Sequence, residues 1–230
     1  MTAHEPPGDS NPNLGDAILA LASVAHEMRG PLAAIETCTA AFELKVQGRE
    51  EIARDARRFF DRLRRNTKVL ARMVNDLLAA GNAQGISETL QRKPADLASI
   101  VAQAVSAAPA GATVRFVDRP TGSAVIAGDE DRIGQIVSNL IRNGIEHGTG
   151  WVDVRLFPSP AGWTLVVENG GEIAPALQNR LFEPFVRGRS GGQGLGLGLH
   201  LVRRLVEAHG GTVTCRSADG RVSFVVFLPL

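Results

Sequence analysis

Apolar residues at alternating steps of four and three run from Leu14 through Ile18, Leu21, Ala25, Met28, Leu32, Ile35, Thr39 and Phe42 to Val46. No other feature of this 230-residue chain constrains its fold as tightly. That spacing keeps one stripe of a helix turned towards neighbouring helices, as in a bundle. Gln47-Gly48 interrupts it, and a second stripe follows at once: Ile52, Ala56, Phe59, Leu63, Asn66, Leu70, Met73 and Leu77. Two long helices joined by so short a break form an antiparallel hairpin. A single hairpin leaves an apolar stripe uncovered on each helix, so the pattern predicts a homodimer closing a four-helix bundle. Asn66 sits on the second stripe, where an isolated asparagine can set register. Residues 1–13 are polar and rich in Pro, Gly and Asn, and read as a disordered lead-in; the hairpin then occupies 14–80.

The first stripe contains His26-Glu27-Met28-Arg29-Gly30-Pro31-Leu32. Ala25 and Met28 belong to the stripe, which turns His26 and Glu27 towards solvent. A solvent-facing histidine on a helix is usually inert, but this one has an adjacent carboxylate and a proline five residues on. Proline inside a helix removes a backbone donor and clashes with the preceding turn, at a cost of about 3 kcal/mol. A kink at Pro31 therefore calls for a use.

Beyond residue 80 the period changes. Residues 81–92 read as a linker around Gly81-Asn82-Ala83-Gln84-Gly85, with the break extending to Pro94, and 93–230 as a second domain. Asp96 caps a helix that runs to Ala107, Thr113–Val117 alternates as a strand, and Asp129 to His147 is helical with Ile133, Ile136, Val137, Leu140 and Ile141 on one face. Trp151–Phe157 and Trp163–Glu168 read as paired strands, Leu197 to Ala208 as a helix, and Thr212–Ser217 with Val222–Leu228 as a hairpin around Asp219-Gly220. Strands and helices in this order predict a two-layer α/β sandwich.

Composition excludes several classes. A formal net charge of +1 gives no field that would draw the chain to nucleic acid. No apolar run approaches the ~20 residues that span a bilayer, and the start lacks a charged-then-apolar leader. The expectation is a cytoplasmic protein without a membrane span, with any sensor on a separate protein or outside these residues. Cys38 and Cys215 lack metal-type spacing and read as reduced thiols. Between Arg49 and Arg72 basic residues outnumber acidic ones, which reads as a solvated face.

Two motifs carry chemistry in the second domain. Asn139 and Asn143 are four apart, hence on one helix face, and His147 continues it. Amide oxygens suit Mg²⁺, which keeps waters and substrate phosphates among its ligands. Gly194-Leu195-Gly196-Leu197-Gly198-Leu199 opens a helix, where backbone N–H groups and the helix start favour a phosphate. Before it, Arg187-Gly188-Arg189-Ser190-Gly191-Gly192-Gln193 is a short basic segment suited to a lid over a polyphosphate.

His-Glu-x-Arg-x-Pro-Leu resembles the phospho-accepting box of bacterial sensor histidine kinases. The asparagine pair, Val167-Glu168-Asn169-Gly170-Gly171, Leu181-Phe182-Glu183-Pro184-Phe185 and the later glycines together resemble the ATP-binding (GHKL-type) domain shared by histidine kinases, gyrases and MutL-type repair proteins. The resemblance covers about residues 14–230. It implies that His26 is the phosphoacceptor with Glu27 its partner, and that ATP and Mg²⁺ are bound. Asn143 would be the metal ligand, supported by Asn139. Asn169 would stand where an adenine-reading aspartate is usual, with Gly171 beside the base. Gly194, Gly196, Gly198 and Leu199 would line the triphosphate, with His147, Arg187 and Arg189 nearby. The implied partner is a response-regulator receiver domain.

The chain departs from the pattern in four places. Asn169 replaces aspartate, with Glu168 the second choice for that role. Glu172 stands where a small residue is expected, and the box is one residue short. Gly144 replaces an alanine, and Gly30 replaces a threonine or asparagine. An aspartate in place of Asn169 is expected to tighten adenine binding. The implied reaction is autophosphorylation of His26 from ATP and transfer to an aspartate of the regulator. The alternative is a histidine phosphotransferase whose ATP-type domain no longer binds nucleotide.

The two stripes generate the first testable expectation. At micromolar concentration the protein should sediment as a dimer; a species of 24.4 kDa would exclude the four-helix bundle.

Overall fold

The computed structural model describes residues 28, 30, 32, 33, 35–40, 42, 60–67, 70, 71, 74, 90–186 and 196–230, and the chain divides into two compact units, Met1–Asn82 and Ala83–Leu230. The cap at Asn13, His26, Glu27, the kink at Pro31, the Gln47-Gly48 turn, most of the linker, Arg187, Arg189 and Gly194 lie outside the described residues.

In the first unit every described residue is helical. Leu32 and Val74 are buried together with Ala71 against them, and Phe42 and Phe60 stack with ring centroids 4.9 Å apart. Thr39 and Thr67 are also buried, and each hydroxyl returns its hydrogen bond to the preceding turn, on Ile35 O and Leu63 O respectively. The covered face of the second helix is therefore 67, 71 and 74. Asn66 and Leu70, expected on the stripe, are exposed, as are Met28, Ile35 and Phe42. Met28, Ile35, Phe42 and Leu70 are the exposed large apolar side chains among the described residues of this unit.

The second unit is a two-layer α/β sandwich. Its elements in order are β1 (Lys93–Asp96), α1 (Leu97–Ser106), β2 (Thr113–Asp118), β3 (Val125–Gly128), α2 (Glu130–His147), β4 (Trp151–Ser159), β5 (Gly162–Gly170), α3 (Pro175–Gln178), α4 (Gly198–Ala208), β6 (Thr212–Ala218) and β7 (Arg221–Pro229). The five-stranded sheet has the order β2-β4-β5-β7-β6. Only β2 and β4 pair in parallel, through the connection that carries β3 and α2. Alternation along the strands sends Val152, Val154, Leu156, Leu165, Val167, Val222, Phe224, Val226 and Leu228 to the helix side, where all are buried. Ile133, Ile136, Val137, Leu140 and Ile141 of α2 meet them, with Leu201, Val202, Leu205 and Val206 of α4.

Two differences from the sequence reading have local causes. Lys93–Asp96, where the sequence shows only a break ending at Pro94, pairs antiparallel with Val125–Gly128 in a two-stranded ribbon, with Pro94 exposed. Strand β4 runs on through Pro158 because its pairing with β2 ends at Arg155, leaving that side open. The final hairpin turns as expected: Asp219 and Gly220 both have positive φ, 53° and 70°, which suits the twist of the flanking strands. Among the described residues no helix is long and apolar enough to cross a membrane.

One buried cluster joins the helices end to end. Asp129 caps α2, its carboxylate accepting from Arg132 N at 3.2 Å and Gln91 N at 3.0 Å. Burial pushes the Asp129 carboxyl up, but the N–H groups of Gln91 and Arg132, with the charge of Arg132, outweigh it and hold the group below its usual range. Its own N–H donates to His209 Nε2 at 3.1 Å, while His209 Nδ1 donates to Leu205 O at 2.7 Å. His209 is 2% exposed, with both ring nitrogens engaged. Arg92 adds a bond to Ala208 O at 2.7 Å, so the segment entering the unit is tied to the same place.

Replacing His209 with alanine should orphan the Asp129 N–H and leave a cavity, lowering stability by about 3 kcal/mol. Urea unfolding followed by tryptophan fluorescence reads this unit alone, because both tryptophans, Trp151 and Trp163, lie in its sheet. An unchanged midpoint would show that the cluster carries no stability.

Candidate functional site

Helix α2 forms because a side-chain cap at Asp129 is followed by Glu130 and Asp131 in the first turn, where the helix dipole favours acids. Its apolar face is buried, which positions the residues bordering that face. Asn139 is buried at 6% exposure, Asn143 one turn on is half-buried, and His147 is exposed. The face expected from the spacing therefore emerges gradually from the core. Asn139 Oδ1 accepts a short hydrogen bond from Arg142, while its Nδ2 is buried with no partner.

Asn169 and Glu168 are adjacent on β5 and so point to opposite sides of the sheet. Glu168 belongs to the outer face and is fully engaged there. It accepts from Ser223 Oγ at 2.9 Å and Arg221 at 3.1 Å, and lies 3.5 Å from Arg155. Asn169 faces the helices and is 3% exposed. Its Nδ2 donates to Gly170 O at 2.9 Å, which orients the amide and leaves Oδ1 buried without a donor. Of the two candidates for the adenine position, only Asn169 keeps a vacant acceptor.

Asn169 fits because its neighbours lack side chains. A Cβ on Gly144 would lie 3.3 Å from Asn169 Oδ1 and 2.9 Å from Val152; one on Gly148 would lie 2.9 Å from Asn169 Nδ2. Gly171 is close as well, its Cβ position 3.8 Å from Nδ2. The replacement of alanine by Gly144 and of aspartate by Asn169 thus meet at one contact. Sequence reasoning missed Gly148, which follows the last residue of α2 with extended backbone (φ −85°, ψ 174°), its N–H donating to Gly144 O. Glu172 is exposed.

The glycine-rich end is built from two segments. Gly196 has φ +71°, and a Cβ there would stand 2.6 Å from Val186 O, so the second glycine box packs directly on the phenylalanine box. Phe185 N donates to Gly196 O at 3.1 Å, and Phe185 itself holds a φ of 63° that non-glycine residues seldom adopt. His200 Nδ1 meets Phe182 O at 3.1 Å, and burial lowers its pKa, so the ring is neutral near pH 7. Helix α4 starts at Gly198, followed by half-buried Leu199, with no side-chain cap and no acidic residue in its first turn. The first N–H groups of a helix have no carbonyl partner within it, which suits an anion.

This geometry fits a nucleotide with a divalent cation. A buried orphan acceptor suits an amino group of a base, and an uncapped helix start suits phosphates. Among the described residues no cluster of three His, Cys, Asp or Glu side chains exists, so an ion here would depend on amide oxygen and phosphates. Neither cysteine joins the site: both are free, and burial pushes the Cys215 thiol up to about 11.

Comparison with known proteins agrees with both units. Residues 18–86 match the His Kinase A (phospho-acceptor) domain, and 128–230 match the Histidine kinase-, DNA gyrase B-, and HSP90-like ATPase family. The chain is 37% identical over 220 residues to the probable sensor histidine kinase TcrY of Mycobacterium tuberculosis, covering 91% of this chain and 45% of that protein. It is 32% identical over 216 residues to the sensor protein CutS of Streptomyces coelicolor, covering 86% and 49%. The chain spans about half the length of the curated relatives it matches. Among solved structures, full-length ShkA in complex with AMPPNP superposes with a TM-score of 0.70 at 24% identity, covering 92% of this chain and 46% of that one, a likeness of fold.

Asn169→Asp now carries a revised expectation. A carboxylate would set an oxygen against the Gly170 carbonyl and bury a charge, so the unliganded protein should lose about 1–3 kcal/mol at neutral pH. Urea midpoints of the two proteins decide it; an aspartate variant as stable as the parent would show that the Gly170 bond does not orient the amide.

Proposed function

We propose that this chain, which belongs to the sensor histidine kinases of two-component signalling, is an ATP-dependent histidine autokinase that passes its phosphoryl group to an aspartate of a response-regulator receiver domain. The observation carrying the nucleotide half is the vacant Asn169 Oδ1 in a unit that also holds an uncapped glycine-rich helix start. The phosphoacceptor half rests on the His26 box and on the match of residues 18–86 to a phospho-acceptor domain. Residues 14–80 act as dimerisation and phosphotransfer hairpin, 81–92 as linker and 93–230 as catalytic domain. Exposed Met28, Ile35, Phe42 and Leu70 supply the surface that a second copy would cover.

The residues take these roles. Asn169 accepts from the adenine amino group through its buried, unpartnered oxygen, while Gly170 O holds Nδ2, with Gly171 beside the base. A neutral amide in place of a carboxylate weakens that bond by about 1 kcal/mol, roughly fivefold in affinity. Gly196, Gly198 and Leu199, with Gly194, offer backbone N–H groups to the triphosphate, while Arg187, Arg189 and His147 border it. Asn143, supported by Asn139, would hold Mg²⁺, which neutralises phosphate charge when bound. A neutral His26 ring nitrogen forms an N–P bond as the bond between the γ-phosphorus and ADP breaks, and Glu27 takes the other ring N–H to fix the tautomer. Catalysis of this kind is positioning and charge neutralisation. ATP and the receiver belong to the cytoplasm, and the reaction runs there.

Incubation with γ-labelled ATP and Mg²⁺ should label the protein in a form stable to alkali and labile to acid, as a phosphoramidate is. His26→Gln should abolish the label. Equal labelling of that variant would refute the phosphoacceptor assignment, and no nucleotide binding at millimolar ATP would leave the phosphotransferase alternative.

A further inference from the structure

Arg142 stands between Asn139 and the start of α4, and the roles above do not use it. Its guanidinium donates to Asn139 Oδ1, and a Cβ on Gly198 would lie 3.4 Å from the same Nη2. A cation is therefore lodged beside the first residue of a helix whose start is already electropositive, uncapped by any side chain and without an acid in its first turn. Two positive features side by side gain from an anion that both can reach. Asn139 shows the complementary defect: one amide atom is held by the guanidinium, and the other, Nδ2, is buried with no partner at all. An amide oxygen occupied by an arginine is not open to a metal ion.

We propose that Arg142 is a phosphate-binding residue that exchanges Asn139 Oδ1 for a phosphate oxygen of the nucleotide, and by leaving frees that amide oxygen to support the cation. The assignment rests on the ATP reading of the site. Its direction follows from charge: a guanidinium bound to a phosphate makes charge-assisted, two-pronged bonds, roughly twice as strong as one to a neutral amide. The short path needed is already present, since Arg142 touches the helix start before any ligand arrives. Arg142 thereby favours ligands with phosphates and contributes nothing to the base.

Calorimetric titration of the whole chain with ATP, with ADP and with adenosine tests this. Arg142→Gln should weaken ATP and ADP about tenfold or more and leave adenosine unchanged, while Arg142→Lys should recover part of the loss. Equal weakening of ATP and adenosine would make Arg142 a merely structural residue and overturn the proposal, as would wild-type ATP affinity in Arg142→Gln. Failure of the parent protein to bind ATP would remove the nucleotide reading and this assignment together. Parent binding with an unaffected variant would remove this assignment alone.

Discussion

The bond from Asp129 N–H to His209 Nε2 joins the start of α2 to the residue that ends α4. The two helices therefore leave one buried point in antiparallel register. At 1.5 Å per residue, Arg142 lies ~20 Å along α2 from Asp129, and Gly198 ~16 Å along α4 from His209. The antiparallel arrangement thus brings the asparagine turns of α2 abreast of the glycine start of α4, and the Arg142–Gly198 contact is where they meet. A histidine carries this link better than most residues because one neutral ring offers a donor and an acceptor on opposite sides. The segment at Gln91 and Arg92 converges on the same cluster, so the chain entering the unit is held at the end remote from the phosphate-binding glycines.

The sheet supplies the other half of the site through its period of two. Along β5, Leu165, Val167 and Asn169 share one face, so the last inward position is polar at the rim of an otherwise apolar layer. A buried polar side chain needs partners or it costs stability. Asn169 satisfies half of this requirement internally, through Gly170 O, and presents the other half to whatever enters. Its volume is accommodated by Gly144 and Gly148 opposite, since any side chain there would press on the amide. Glu168, one residue earlier, is spent on Arg155, Arg221 and Ser223 across the outer face.

Asn139, Asn143 and Asn169 are all neutral amides, so these three positions carry no charge of their own. Arg142, on the same helix as Asn139 and Asn143, and the start of α4 place positive charge and partial charge beside these amides.

How much of this was legible in the sequence depended on the range of the interaction. Period alone marked the helices 130–147 and 198–208 and five of the strands, because a 3.6- or two-residue repeat is a local property. The caps at Asp96 and Asp129 and the turn at Asp219-Gly220 were readable for the same reason. The ribbon of β1 and β3 was not, since Pro94 signals a break and only a partner 30 residues away makes it a strand. The sequence also left two carboxyl-or-amide candidates, Glu168 and Asn169, and tertiary structure separated them by which one had already been bonded. The hairpin stripes told which positions are apolar, while packing decided that Thr67, Ala71 and Val74 face inward and Asn66 and Leu70 do not. Arg142 carried no signal in the sequence, for its meaning lies in its place beside Gly198, where an added Cβ would stand 3.4 Å from its Nη2, and that neighbourhood exists only after two helices far apart in the chain have packed.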